Sequence, residues 1–173
     1  DFTIQRSNST LPNCKGVYIG IGNTGIKVSS NVIKENGYGI YLYSSPGNTI
    51  SGNTVSNNQI EGIELASSPY TSINENNITN SGIGIMLYSA SDYCNISRNN
   101  IRENSAYGIE VYSSNNINIT RNIVANNYNG IKLLSSWNNY ILGNKIVENG
   151  YAGLEIFTSS YNSVCGNNIS ANS

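Results

Sequence analysis

Gly39-Ile40-Tyr41-Leu42 is one of seven versions of a single step in this chain. The others are Gly16-Val17-Tyr18-Ile19, Gly62-Ile63-Glu64-Leu65, Gly84-Ile85-Met86-Leu87, Gly108-Ile109-Glu110-Val111, Gly130-Ile131-Lys132-Leu133 and Gly153-Leu154-Glu155-Ile156. Their glycines lie 23, 23, 22, 24, 22 and 23 residues apart. A self-similar period of this length marks a solenoid, because each repeat buries its apolar face only against copies of itself.

Two more apolar segments follow each step. One carries Val28, Ile50, Ile73, Ile96, Ile119, Ile141 and Val164; the other carries Ile33, Val55, Ile78, Ile101, Val124, Ile146 and Ile169. Period-two alternation over three to five residues predicts strands, and no window supports a helix. Two asparagine columns bracket the last segment. The first is Asn31, Asn53, Asn76, Asn99, Asn122, Asn144 and Asn167; the second is Asn36, Asn58, Asn80, Asn104, Asn127, Asn149 and Asn172. Asparagine tolerates the left-handed bend between strands, and its amide bonds along a stack. Both columns are expected to be structural ladders, so that Asn→Ala destabilises rather than inactivates.

Three short strands in each of about seven coils of 22–24 residues predict an all-β, single-stranded parallel β-helix, right-handed by the usual chain chirality. At the inter-strand spacing the rod is about 34 Å long. Residues 1–15 read as a degenerate partial coil: Asn8 and Asn13 keep the period, whereas Gln5 and Thr10 stand where later coils are apolar. Residues 16–173 form one β-helical domain, expected to belong to a longer protein. Open strand edges at the ends invite end-to-end self-association unless capped, and a side-by-side contact is a second expected mode.

A net charge of −1 with 11% charged residues provides no field for nucleic acid or an anionic membrane. There is no apolar run long enough to span a bilayer. Asn, Ser and Thr number 32, 25 and 9, a composition that suggests disorder, but the regular apolar columns argue against it. Cys14, Cys94 and Cys165 fall at different points of different repeats, too far apart axially for a disulfide.

The stretch N-G-Y-G-I-Y-L-Y-S-S-P-G-N-T-I-S-G-N-T-V-S-N-N at 36–58 resembles the parallel β-helix repeats of the NosD-like group, within the pectate-lyase-type superfold. The resemblance covers residues 16–172 and implies the fold; one such scaffold hosts lyases, hydrolases, epimerases, metal-delivery factors and plain surface proteins. It implies clustered aspartates, often with Ca²⁺, plus Arg, Lys or His wherever acidic polysaccharides are cleaved or epimerised. This chain has two aspartates, Asp1 and Asp92, and no histidine, so those catalytic residues have no positions here. It also implies copper-site assembly in the periplasm, but Met86, Cys14, Cys94 and Cys165 do not converge on one repeat position as Cu(I) requires. No metal site and no cofactor are expected.

Candidate catalytic residues are confined to the third position of the step: Glu64, Glu110, Lys132 and Glu155. Glu64 and Glu110, or Glu110 and Glu155, stand two coils apart, about 9.6 Å along the stack, near the separation of an inverting glycosidase pair. The competing reading is an exposed charge ladder of Glu110, Lys132 and Glu155. Tyrosine is the more telling residue type, with 13 copies. Tyr18, Tyr41, Tyr43, Tyr88, Tyr112 and Phe157 are placed outside the core by strand alternation, as candidate glycan- or partner-binding residues. A second aromatic group, Tyr70, Tyr93, Trp137, Tyr140 and Tyr161, falls at the next bend. The same rings also suit corner packing or a protein contact.

The sequence thus reads as a non-catalytic repeat module of an exported or cell-surface protein, extracellular or periplasmic. It is expected to be structural, to contact a polysaccharide or cell-surface glycan, or both. A carbohydrate-active enzyme and a NosD-like copper-delivery factor are the alternatives.

Overall fold

In the computed structural model, which describes residues 3–5 and 13–173, every regular element is a short strand and every pairing is parallel. The glycine steps form one sheet of seven strands: Lys15–Ile19, Tyr38–Tyr43, Glu61–Ala66, Ile83–Tyr88, Tyr107–Tyr112, Asn129–Leu134 and Leu154–Phe157. A second seven-stranded sheet runs from Lys27–Ser29 to Ser163–Cys165, and an eight-stranded third from Thr3–Gln5 to Asn168–Ser170. The chain is therefore a three-faced parallel β-solenoid of about seven turns. Of the residues read as a degenerate first coil, Thr3–Gln5 is a strand that pairs with Val32–Lys34; Asn8 and Thr10 lie outside the described residues.

Register follows the apolar columns. Ile63 pairs with Ile40 and Ile85, Ile73 with Ile50 and Ile96, and Ile78 with Val55 and Ile101. All these side chains are fully buried. A slip of one residue would turn a whole column outward, which pins the register.

The corners share one device. At most of them a residue with positive φ is followed by a buried polar side chain, whose oxygen accepts the backbone N–H of its counterpart one coil earlier; Thr71, Cys94 and Ile117 depart from it at one corner. Arg98 (φ 55°) precedes Asn99, whose Oδ1 accepts from Asn76 N–H at 2.9 Å. Glu103 (φ 57°) precedes Asn104, which accepts from Ser81 N–H at 3.0 Å. The left-handed conformation thus belongs to the residue before each ladder asparagine. The asparagines of the first column are buried from Asn31 to Asn144, and each donates its amide to backbone or to the next asparagine, as Asn99 Nδ2 does to Ile73 O and Asn122 Oδ1.

The second column needs one correction. Asn80 is itself the left-handed residue (φ 52°), and the ladder position belongs to Ser81. The shorter serine accepts the Asn58 N–H at 3.4 Å but leaves the buried Asn58 Nδ2 without a partner. Ser81→Asn supplies the missing acceptor and should raise stability by about 1 kcal/mol, read as a rise in thermal midpoint. An unchanged or lower midpoint would show that the corner has no room for the amide.

A serine ladder, absent from the sequence reading, runs along the corner after the glycine-step sheet. Ser45, Ser68, Ser91 and Ser114 donate their N–H groups to the hydroxyls of Ser68, Ser91, Ser114 and Ser136, respectively, at 3.0–3.3 Å. Its signal was the paired small residues, Ser44-Ser45, Ser67-Ser68, Ser113-Ser114 and Ser135-Ser136. At the next corner Cys94 holds a ladder position and its Sγ accepts the Thr71 N–H. No disulfide joins Cys14, Cys94 and Cys165.

Candidate functional site

The step glycine decides which side chains share the outer face of its sheet. A Cβ built on Gly62 would lie 2.7 Å from both Gly84 O and Ile78 Cγ2, and one on Gly39 would lie 2.5 Å from Gly62 O. The glycine therefore faces the interior, as the isoleucine after it does, and only the absence of a Cβ lets successive coils approach. Two consecutive inward residues bend the strand. The residue before the glycine then points outward together with the third position of the step.

That bend brings together residues that sequence spacing alone kept apart. Tyr38 and Tyr41 stack with ring centroids 5.5 Å apart, Tyr18 and Tyr41 lie 5.7 Å apart, and Tyr41 and Tyr43 6.4 Å. Lys15 places its Nζ 5.8, 5.2 and 5.0 Å from the ring centroids of Tyr18, Tyr38 and Tyr41. Lys15, Tyr18, Tyr41 and Tyr43 line an open hollow of about 400 Å³. Tyr18 and Tyr43 are exposed at its rim. Lys15 and Tyr38 were missed by the sequence reading; their signal was the polar or aromatic residue directly before five of the seven step glycines.

Below this hollow the face carries a network of titratable groups. The Glu61 and Glu64 carboxyls act directly on each other, and the buried Glu61 Oε2 has no hydrogen-bond partner. Burial, the adjoining Glu64 carboxyl and the charges of Glu64 and Glu110 push the Glu61 carboxyl up to about 9, so it holds its proton at neutral pH. Burial, then the Tyr41 hydroxyl and then the Glu64 carboxylate raise the Tyr88 pKa. Burial, then the Glu64 carboxylate, also raises Tyr38; for Tyr41 burial is the larger cause, partly offset by the Tyr88 hydroxyl. The phenols stay neutral.

Further along, Lys132 bonds Glu110 at 3.1 Å and the Tyr107 hydroxyl at 3.2 Å, with its Nζ 4.7 Å from the Tyr107 ring centroid. Burial lowers the Lys132 pKa, but the bonds to Tyr107 and Glu110 outweigh it and the net shift is upward. In place of an exposed ladder of Glu110, Lys132 and Glu155 the face has a covered Lys132–Glu110 pair, its side chains 17% and 12% exposed, and Glu64 is buried as well. Neighbouring aromatic rings close over side chains that strand alternation alone would leave in water.

Of the remaining sequence candidates, Tyr112 and Phe157 are exposed on the same sheet but enter no ring contact among the described residues. Glu155 lies in the last strand of the sheet, half-buried, in register with Lys132. Elsewhere, Tyr70 and Tyr93 stack at 5.1 Å on left-handed corner residues, and Tyr128 stacks on Tyr151 at 6.1 Å.

The fold recurs in known proteins. A double mutant of the periplasmic alginate epimerase AlgG superposes with a TM-score of 0.80 at 25% identity, over 82% of this chain and 34% of that one. Unmutated AlgG gives 0.76 at 26% identity over 77% and 32%. The A-module of the Azotobacter vinelandii mannuronan C-5 epimerase AlgE6 gives 0.79 at 19% identity over 86% and 46%, a likeness of fold alone. The chain spans about a third of the length of AlgG and under half of the AlgE6 module. No curated protein matches the sequence. The profile of the family described as "Periplasmic copper-binding protein (NosD)" matches residues 2–129 and 91–173. The repeat, the three parallel sheets and this match together make the chain a member of the NosD family.

Proposed function

We propose that this chain is a non-catalytic, glycan-contacting β-helical module that acts in the periplasm or outside the cell. The observation that carries the reading is the tyrosine-lined hollow, where Tyr18, Tyr38, Tyr41 and Tyr43 from two adjacent coils gather on an open sheet face. Flat rings with hydroxyl tips suit the apolar face and the hydroxyls of a sugar. The periplasmic NosD family and the periplasmic epimerase AlgG support the location, and the alginate epimerases support a polysaccharide as the partner.

Two observations argue against catalysis on this face. Burial and the adjoining Glu64 carboxyl push Glu61 up to about 9, so the two act on each other directly rather than as the spaced carboxyls of a glycosidase, which stand about 5 Å or more apart. Glu110, common to both carboxylate pairs of the sequence reading, is buried, as is Glu64.

A copper site, implied by the family description, does not fit the residues present. The chain has no histidine, and the described residues hold no cluster of three His, Cys, Asp or Glu side chains. Met86 pairs in register with Glu64 and Glu110, which are hard oxygen ligands. Burial pushes the Cys94 thiol up to about 12, which disfavours the thiolate a metal needs.

Titration calorimetry against a panel of oligosaccharides tests the proposal. Tyr18→Ala and Tyr43→Ala, both at exposed rings, should each weaken binding about tenfold, equivalent to ~1.4 kcal/mol, with no new products in the mixture. A wild-type chain that binds no oligosaccharide, or affinities untouched by both substitutions, would overturn it.

A further inference from the structure

The hollow already contains a cation. Lys15 Nζ lies 5.0–5.8 Å from the centroids of three tyrosine rings, and its one recorded hydrogen bond is a long 3.5 Å contact to the Asn13 carbonyl. Among the described residues it has no carboxylate partner, although the chain forms such pairs at Lys34, Arg98 and Lys132. Rings gathered about an ammonium are the arrangement that recognises ammonium ligands, through the negative face of each π-system. Here the lysine side chain is exposed and stands at the mouth of the hollow.

The ground beneath the rings has the same bias. Glu64 is buried and acts electrostatically on both Tyr38 and Tyr41, and Glu110 lies two rungs further along. Lys132 is engaged by Glu110 and Tyr107 and does not offset Glu64. A uronate carboxylate brought to this hollow would meet that negative charge, with Lys15 as its one cationic neighbour among the described residues. An ammonium would meet three ring faces and a buried carboxylate.

We infer that the Tyr18–Tyr38–Tyr41 cage is a subsite for the ammonium of an amino-sugar glycan, and that Lys15 occupies it as a built-in stand-in that the ligand displaces. The inference rests on the glycan-contacting reading of this face and specifies its ligand. The open sheet face on which the cage sits suits an extended oligomer. The neutral N-acetylated oligomer, which has the same rings without the charge, is the matched control.

The full chain is titrated with a glucosamine tetramer, its N-acetylated counterpart, a uronate tetramer and an N-acetyl-lysine-amide peptide mimic, at low salt. The glucosamine tetramer should bind about tenfold tighter than its N-acetylated counterpart. Lys15→Ala, an exposed change checked by circular dichroism, should raise glucosamine affinity several-fold and leave the N-acetylated tetramer within about twofold. Tyr41→Leu should abolish the preference for charge; where that variant fails to fold, Tyr18→Leu serves in its place.

Equal binding of the two tetramers, or weaker glucosamine binding by Lys15→Ala, overturns the inference while the glycan-contacting reading stands. Tightest binding of the uronate tetramer, lost in Lys15→Ala, overturns it by making Lys15 a carboxylate contact. A lysine mimic that binds as tightly as the glucosamine tetramer overturns it in favour of a peptide partner. Absence of binding by every saccharide removes both readings together.

Discussion

Replacing Glu61 with glutamine should make the protein more stable at pH 9 and leave it nearly unchanged at pH 5. The Glu61 carboxyl titrates near 4.5 when free in an unfolded chain and at about 9 in the fold. Between those values the native state holds a proton that the unfolded state has released. Stability falls with pH wherever the native state binds the extra proton. The contribution of this group is therefore fully present below pH 4.5 and is lost as pH rises through about 9.

The span of the shift sets the scale. At 1.36 kcal/mol for each pH unit the whole span sets a ceiling of about 6 kcal/mol; relaxation of Glu64 on loss of the shared proton returns part of it, and a loss on the order of 3 kcal/mol is expected. In a chain of this size that corresponds to roughly 6–12 °C in thermal midpoint. Glutamine keeps a donor for Glu64 and does not titrate, so its curve should be flatter by that amount. Groups that do not interact with Glu61 titrate alike in both proteins and cancel in the comparison. Parallel midpoint curves from pH 5 to pH 9 would show that the pair does not share a proton.

Asn99→Ala should cost about 3–5 kcal/mol. The truncation strips the Asn76 N–H of its acceptor and takes a donor from Ile73 O and from Asn122 Oδ1. Asn99 is 1% exposed, so water does not take over these roles. Each buried group left unsatisfied costs roughly 1–3 kcal/mol. Asn99→Asp keeps the acceptor, loses the donor and buries a charge, and should be no better than alanine. The next residue is the control: Asn100 bonds Asn77 and Arg102 at the surface, and Asn100→Ala should stay within about 0.5 kcal/mol. Equal losses at positions 99 and 100 in denaturant melts would mean that the column carries no special load.

Much of this architecture was legible because a solenoid repeats its own evidence. One glycine step is ambiguous, but seven at a near-constant interval set the coil length, and the isoleucine columns then set strand positions and register. The asparagine columns were legible for the same reason. Their local conformation was not: side chains that bond along the stack and residues that turn the chain are neighbours, and both are polar. Only backbone angles separate Asn80, which turns, from Ser81, which joins the ladder. The serine ladder went unread because small polar residues at a turn have many uses, and only distances across coils single out this one.

The site was legible in type and not in membership. The sequence placed Tyr18, Tyr41, Tyr43 and Tyr88 outside the core, along with Glu64, Glu110 and Lys132. Strict alternation, however, assigned Lys15, Tyr38, Glu61 and Tyr107 to no shared face. The inward turn at each step glycine reverses that assignment, and a bend of this kind has no signature in a period-two pattern.

What the sequence by itself determined is the scaffold: the coil, its three strands, its register and its polar corners, all properties that every repeat enforces on its neighbours. What only the tertiary structure decided is the environment of the few side chains that differ from coil to coil. Whether Glu61 is neutral, whether Glu110 is covered and whether Lys15 sits among rings depend on which unlike residues the stack sets side by side. Those contacts join single residues from successive coils, so no repetition along the chain announces them.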